Sequence, residues 1–268
     1  MQRLNIQGIQ LEVRQIAGSN ALAPIVFLHE GLGCVSLWTQ HGLDWPQALC
    51  KATGRSGVVY SRRGYGQSEP APNNPDAHSP GRNVLPPDYM QYEAWDVLPA
   101  LLSQLSIHNP VLLGHSDGAT IALLFSSKHA VAACVAMAPH VVVESVATHA
   151  IAQAKQAFEA DDAVSGLKQR LSKHHADAEG AFWQWNDVWM SGGFACFDIR
   201  TDCSCISAPL LLVQGLNDEY GTMLQLDEIA VAAPHAQQLR LADCGHSPHR
   251  DQPQKCIDHI TNFLEFVG

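Results

Sequence analysis

Residues 110–122 read P-V-L-L-G-H-S-D-G-A-T-I-A, and at their centre stands a serine between two glycines, Gly114 and Gly118. A serine hydroxyl is a weak nucleophile near neutral pH. It becomes a strong one when a histidine accepts its proton and a carboxylate orients the imidazole. The apolar run before Gly114 reads as a buried strand, and Ala119, Ile121, Ala122 and Phe125 continue as one side of a helix. The two glycines fall where side chains would collide in a tight strand-to-helix turn, so Ser116 can be held strained with its hydroxyl exposed, as a nucleophile elbow.

The partners such a serine needs occur later in the chain. Asp218 follows the apolar run L-L-L-V-Q-G-L-N, and His246 follows Q-L-R-L-A-D-C-G, so each lies just past the carboxyl end of a strand. The N–H of Asp117, the residue after the serine, is one donor for a tetrahedral oxyanion.

These residues must be positioned by the elements around them. The first sixteen residues alternate polar and apolar with a break at Gly8, the pattern of an antiparallel hairpin. Buried strands are expected at I-V-F-L-H from Ile25, G-V-V-Y-S from Gly57, V-A-A-C-V-A-M-A from Val131, from Pro209, and over 237–243. Helices are expected over 44–53 with Asp44 as cap, 89–105 with a kink at Pro99, after Ser116, over 222–233 and over 253–267. Residues 69–87, rich in proline, read as a surface loop. Between 140 and 207 the alternation stops, and three helices are expected: 146–160, 163–174 and a tryptophan-rich one over 181–189. The order implies an α/β architecture, a mostly parallel central sheet flanked by helices, with core segments 1–139 and 208–268 and a helical cap insert, 140–207, over the carboxyl ends of the strands.

The segments H-E-G-L-G, R-R-G-Y-G-Q-S, G-H-S-D-G, G-L-N-D-E-Y-G-T and C-G-H-S-P-H, in that order, resemble the alpha/beta-hydrolase fold superfamily of serine hydrolases. The resemblance spans the whole chain and implies the triad Ser116, Asp218, His246, with Asp218 rather than Glu219 as the acid. It also implies Gly31 as the second oxyanion donor beside Asp117, and no cofactor or metal. The chain departs from the family at Glu30, where relatives commonly have glycine, and at Ser61, where an aspartate is frequent. Glu30 has two readings: bonding backbone around its loop, or meeting a donor group on the substrate. His29 is expected to anchor that loop, His115 to pack below the elbow, and His249, three residues after His246, to make a surface or loop hydrogen bond, with reach into the same site as the alternative. Asp117 most simply favours the helix dipole. Phe182, Trp185 and Trp189 share one helical face, read either as packing or, with Glu30, as part of a substrate pocket.

Composition limits the alternatives. The 268 residues carry 26 acidic against 16 basic side chains, a formal charge of −10, and no basic run, which argues against nucleic acid or an anionic membrane as partner. Eight cysteines contain no C-x-x-C pair and suit free thiols in a reducing, cytoplasmic compartment. The expected partner is a small-molecule substrate, with a homodimer as the alternative to a single copy. The function expected is hydrolysis of a small-to-medium, largely apolar carboxylic ester through an acyl-enzyme. Alternatives are a carbon–carbon bond hydrolase of aromatic catabolism, an iminopeptidase-like hydrolase that would use Glu30 to hold an amino group, and a non-hydrolytic small-molecule receptor on the same fold.

Overall fold

The computed structural model describes residues 1–72, 85–160 and 166–267. Eight strands form one sheet: β1 (Gln2–Ile6), β2 (Ile9–Ile16), β3 (Ile25–Leu28), β4 (Gly57–Tyr60), β5 (Val111–His115), β6 (Ala133–Met137), β7 (Leu210–Gly215) and β8 (Gln237–Leu241). Their spatial order is β1-β2-β4-β3-β5-β6-β7-β8. β2 is antiparallel to both β1 and β4, and every other pairing is parallel. The first hairpin turns at Gln7 and Gly8, both at positive φ, as a two-residue loop requires.

The helices are α1 (Trp45–Thr53), α2 (Tyr89–Tyr92), α3 (Leu98–Gln104), α4 (Asp117–Lys128), α5 (Ser145–Glu159), α6 (Leu167–Ser172), α7 (Ala178–Trp189), α8 (Arg200–Cys203), α9 (Leu224–Ala232), α10 (Pro248–Asp251) and α11 (Pro253–Leu264). Strand alternation divides the core into two layers. Ile25, Phe27, Val59, Val111, Leu113, Val135 and Leu211 face α1 and α11. Val26, Leu28, Val58, Leu112, Cys134, Ala136 and Leu212 face α3, α4 and α9. Because both faces of each central strand are covered, those strands are continuous apolar runs, which is why they were legible in the sequence.

Local signals hold at most boundaries. Asp44 caps α1 by accepting the Gln47 N–H at 3.2 Å, and Gly54 closes it in the left-handed conformation at φ +70°. Pro99 does not break the helix expected over 89–105. The missing hydrogen bond is absorbed upstream, where Glu93–Val97 forms a π turn that joins α2 to α3. Of the proline-rich loop, 73–84 lie outside the described residues, as do 161–165 at the start of the helix expected over 163–174.

After β6 the chain leaves the sheet for α5, α6 and α7, which gather over the carboxyl ends of the strands. A bridge between Val142 and Asp198 ties the two ends of this excursion together. α8, which had no counterpart in the sequence pattern, packs on α4 and α9. The excursion is joined to the layer beneath it by His175, whose ring accepts the Gly66 N–H at Nδ1 (2.9 Å) and donates from Nε2 to the Leu32 carbonyl (3.1 Å). A backbone N–H can only donate and a carbonyl only accept, so these partners require neutral imidazole. Among the described residues no helix is long and apolar enough to cross a membrane.

Burial pushes the His175 pKa down from its ordinary 6.5 to about 4. The unfolded chain therefore binds a proton that the folded one refuses between pH 6.5 and 4. This contribution to stability is complete above 6.5 and is lost as the pH falls towards 4. His175→Gln, which can make the same two bonds without titrating, should lose less stability than the wild type between pH 7.5 and 5 in urea titrations.

Candidate active site

The strand-to-helix turn at Ser116 depends on two close approaches of backbone. A Cβ on Gly114 would lie 2.1 Å from the Gly118 carbonyl oxygen, and a Cβ on Gly118 would lie 2.1 Å from that of Leu28. Only glycine at both sites lets α4 press against β3 and β5 this closely. Ser116 then takes φ +54° and ψ −120°, a conformation that strains an L residue by about 1–3 kcal/mol. The strain lifts its side chain off the carboxyl end of β5 and leaves the Asp117 N–H, at the first position of α4, without an intrahelical acceptor.

The turns after β7 and β8 bring the other two residues to it. His246 Nε2 lies 2.9 Å from Ser116 Oγ, and His246 Nδ1 lies 2.9 and 3.0 Å from the two Asp218 oxygens. The carboxylate accepts a hydrogen bond from Nδ1–H, which keeps the proton on that nitrogen and leaves Nε2 free to accept from the serine hydroxyl. Asp218 is held in turn by the N–H groups of Tyr220 (2.8 Å) and Gly221 (3.2 Å) and by the Gln214 amide (3.1 Å). Burial would raise the Asp218 pKa, but the bond to His246 and these N–H donors hold it below its ordinary value, so it stays anionic. Glu219 plays another part, accepting the backbone N–H of His246 at 3.1 Å. His115 Nε2 donates to the His246 carbonyl at 2.7 Å, and the His246 ring lies between those of Tyr220, His115 and His140, at 4.7, 5.1 and 5.7 Å. Burial keeps His140 neutral, with its pKa pushed down to about 3.

The loop that carries Gly31 is fixed by two side chains. His29 donates from Nδ1 to the Glu30 carbonyl (2.7 Å) and accepts the Arg62 N–H at Nε2 (3.0 Å), which anchors the loop. Arg62 donates to the carbonyls of His29 (2.8 Å) and Glu30 (3.1 Å), and its guanidinium stands 3.6 Å from Asp117 Oδ2. One buried cation thus touches both the loop that leads into Gly31 and the side chain of Asp117. Asp117 does more than favour the helix dipole. Its carboxylate is buried and accepts the Tyr89 hydroxyl at 2.6 Å, which itself accepts the Trp189 indole N–H at 3.2 Å.

Glu30 is ion-paired with Arg250 and lies 3.6 Å from His115 Nδ1. Burial would raise its pKa, but the Arg250 guanidinium outweighs that and holds it well below the carboxylate range. Nothing in the spacing of Arg250 announced this pairing, which joins positions 220 residues apart. Ser61 meets an acid from another strand: its Oγ donates to Glu12 on β2 (2.7 Å) and accepts the Val35 N–H (2.9 Å). The expectation for His249 fails. Its ring is buried against Trp38, Trp45 and His115, and neither nitrogen has a hydrogen-bond partner among the described residues. α10 turns it inward beside Arg250, an orientation that no sequence pattern of four residues specifies.

Above the serine is a cavity of about 570 Å³. Gly31, Ser116, Asp117 and His246 form its floor; Ile151, Leu171, Trp185 and Trp189 stand among the apolar side chains around it, and Glu30, Arg170, Lys173, Glu219 and Arg250 among the charged ones. The aromatic stripe of α7 therefore divides. Phe182 stacks on Phe158 at 3.9 Å as packing, while Trp185 and Trp189 face the cavity. The arrangement can deprotonate a serine hydroxyl beside a cavity of mixed apolar and charged lining.

Two stability measurements check this construction. Gly118→Ala should lower stability by about 1–3 kcal/mol through overpacking against Leu28, read as a lower urea midpoint at unchanged slope. Arg62→Met should cost about 3–5 kcal/mol because it strands the Asp117 carboxylate. Adding Asp117→Asn should then cost less than the sum of the single changes, since both charges are gone.

Residues 25–259 match the alpha/beta hydrolase family. Mouse sn-1-specific diacylglycerol lipase ABHD11 is 25% identical over 97% of this chain and 87% of its own length. The enol-lactonase of Burkholderia xenovorans LB400 superposes with a TM-score of 0.72 at 18% identity, covering 98% of this chain and 99% of that one. The proline iminopeptidase of Mycobacterium smegmatis superposes with a TM-score of 0.71 at 16% identity, over 98% and 97%. With the family pattern extending across most of the chain and the fold shared over nearly all of it, this protein is a member of the alpha/beta hydrolase family.

Proposed function

We propose that this hydrolase cleaves a small-to-medium carboxylic ester with a largely apolar body, through an acyl-enzyme on Ser116. The observation that carries the reading is the hydrogen-bonded chain Ser116–His246–Asp218, opening from a strained turn into a cavity with Ile151, Leu171, Trp185 and Trp189 on its walls. Ser116 Oγ attacks the ester carbonyl while His246 Nε2 takes its proton. Asp218 stabilises the imidazolium and holds its tautomer. The N–H groups of Gly31 and Asp117 bind the oxyanion, an interaction typically worth a factor of about 10²–10³ per donor. His246 then returns the proton to the leaving alcohol. Water, activated by the same imidazole, attacks the acyl carbon and releases the acid and Ser116.

The named activities of two relatives, diacylglycerol lipase and enol-lactonase, are on carboxylic esters and support this choice of bond. An iminopeptidase-like reading would need a free carboxylate for the substrate amine. Glu30 lines the cavity but is already ion-paired with Arg250, which weighs against that reading. A non-hydrolytic receptor would have no use for the strain at Ser116 or for the proton acceptor 2.9 Å from its hydroxyl.

Incubation with a fluorophosphonate, followed by intact mass, should give one adduct per chain, located on Ser116. Ser116→Ala should give none, and should lower turnover of aryl esters by a factor on the order of 10⁶. An adduct elsewhere, or equal turnover by the variant, would refute the assignment.

A further inference from the structure

Indole N–H groups only donate, and a buried one normally finds an acceptor. In this chain Trp45 donates to the Pro253 carbonyl, Trp95 to Leu124, Trp183 to Glu179 and Trp189 to Tyr89. Trp38 is fully enclosed and its Nε1 has no partner among the described residues. Trp185 is different from all of these. It is only 6% exposed, it lines the cavity above Ser116, and its Nε1 has no acceptor among the described residues.

The position of that N–H is narrowly defined. A Cβ built on Gly31 would lie 2.1 Å from Trp185 Nε1 and 2.4 Å from Cδ1, so the polar edge of the indole rests directly on the backbone of Gly31. Gly31 supplies one of the two N–H groups that the proposed reaction turns towards the oxyanion. The indole is also held still: Phe182 meets it edge-on at 6.0 Å, and the next residue, Asn186, ties α7 to the Ile151 carbonyl on α5 at 3.3 Å. A fixed donor that has no acceptor among the described residues and opens on the cavity beside the reacting centre is placed where an oxygen of a bound substrate can meet it.

We propose that the Trp185 indole N–H is a specificity donor that selects esters carrying a second oxygen acceptor within a few bonds of the reacting carbonyl. The proposal rests on the ester-hydrolase reading above and deepens it: the substrate is apolar in bulk but has one oxygen beside the scissile group. That oxygen can belong to the acyl side or to the alcohol side. The chemistry is the same, a neutral ether, keto or hydroxyl oxygen accepting one hydrogen bond.

Matched esters of equal length separate these cases. An aryl methoxyacetate is compared with the aryl butanoate, and 2-methoxyethyl butanoate with butyl butanoate. Each pair's ratio of kcat/KM is divided by its ratio of hydroxide-catalysed rates, which removes intrinsic reactivity. The wild type should favour the oxygen-bearing member of one pair by about three- to tenfold, the range of a single neutral hydrogen bond. Trp185→Phe should bring that preference close to one. The pair that responds identifies the side. If Trp185→Phe fails to fold, judged by near-ultraviolet circular dichroism, the wild-type ratios alone decide. Turnover with no preference in either pair, or a preference that survives in a folded Trp185→Phe, overturns the proposal and leaves the esterase reading standing. No turnover of any ester together with no adduct on Ser116 brings down both.

Discussion

The site depends on one close contact: the backbone of α4 pressed against β3 and β5 without intervening side chains. Gly114 and Gly118 are present because any Cβ there would enter a neighbouring carbonyl. With that contact made, Ser116 has no relaxed conformation available and is held at positive φ with its hydroxyl facing the cavity. The energy that keeps it there comes from the core. Leu112, Leu123 and Ala136 are buried around the turn, so relaxing the serine would mean separating packed layers.

A second constraint is the burial of charge. Arg62, Asp117, Glu30 and Asp218 all lie close to the serine and each has a partner within the protein. Such pairs add little net stability compared with apolar packing, since desolvation consumes most of the attraction. Their value is directional. Arg62 can satisfy its donors only if the carbonyls of His29 and Glu30 face it, and a peptide with its carbonyl turned one way has its N–H turned the other. The orientation of the loop that carries Gly31 therefore follows from hydrogen-bond accounting around one guanidinium.

The helices above the sheet are joined to this network at two places. Trp189 donates to the Tyr89 hydroxyl that Asp117 accepts, and His175 bridges Gly66 and Leu32. The roof of the cavity and the floor of the site consequently share hydrogen bonds, and a shift of α7 would be felt at the first turn of α4. This also explains the division of the aromatic stripe. Phe182 sits on the side of α7 that meets α5, whereas Trp185 and Trp189 sit on the side that meets the core.

The succession of strands and helices, the glycine-flanked turn and the positions of Ser116, Asp218 and His246 past strand ends could be read from the chain because each is a local pattern; the order in which the strands lie side by side could not. Continuous apolar runs mark strands covered on both faces, glycine spacing marks a tight turn, and the end of each run marks where a site residue emerges. The partners of Glu30, Ser61 and His249 could not be read in this way. Arg250, Glu12 and the Trp38–Trp45 pocket are brought to them by long-range packing, and periodicity records which face of an element is buried without naming its neighbour. The same limit applies to the tryptophans of α7. Their spacing placed them on one helical face, but whether each indole N–H met an acceptor or faced an open cavity depended on α5, Tyr89 and Gly31, which only the folded chain assembles around them.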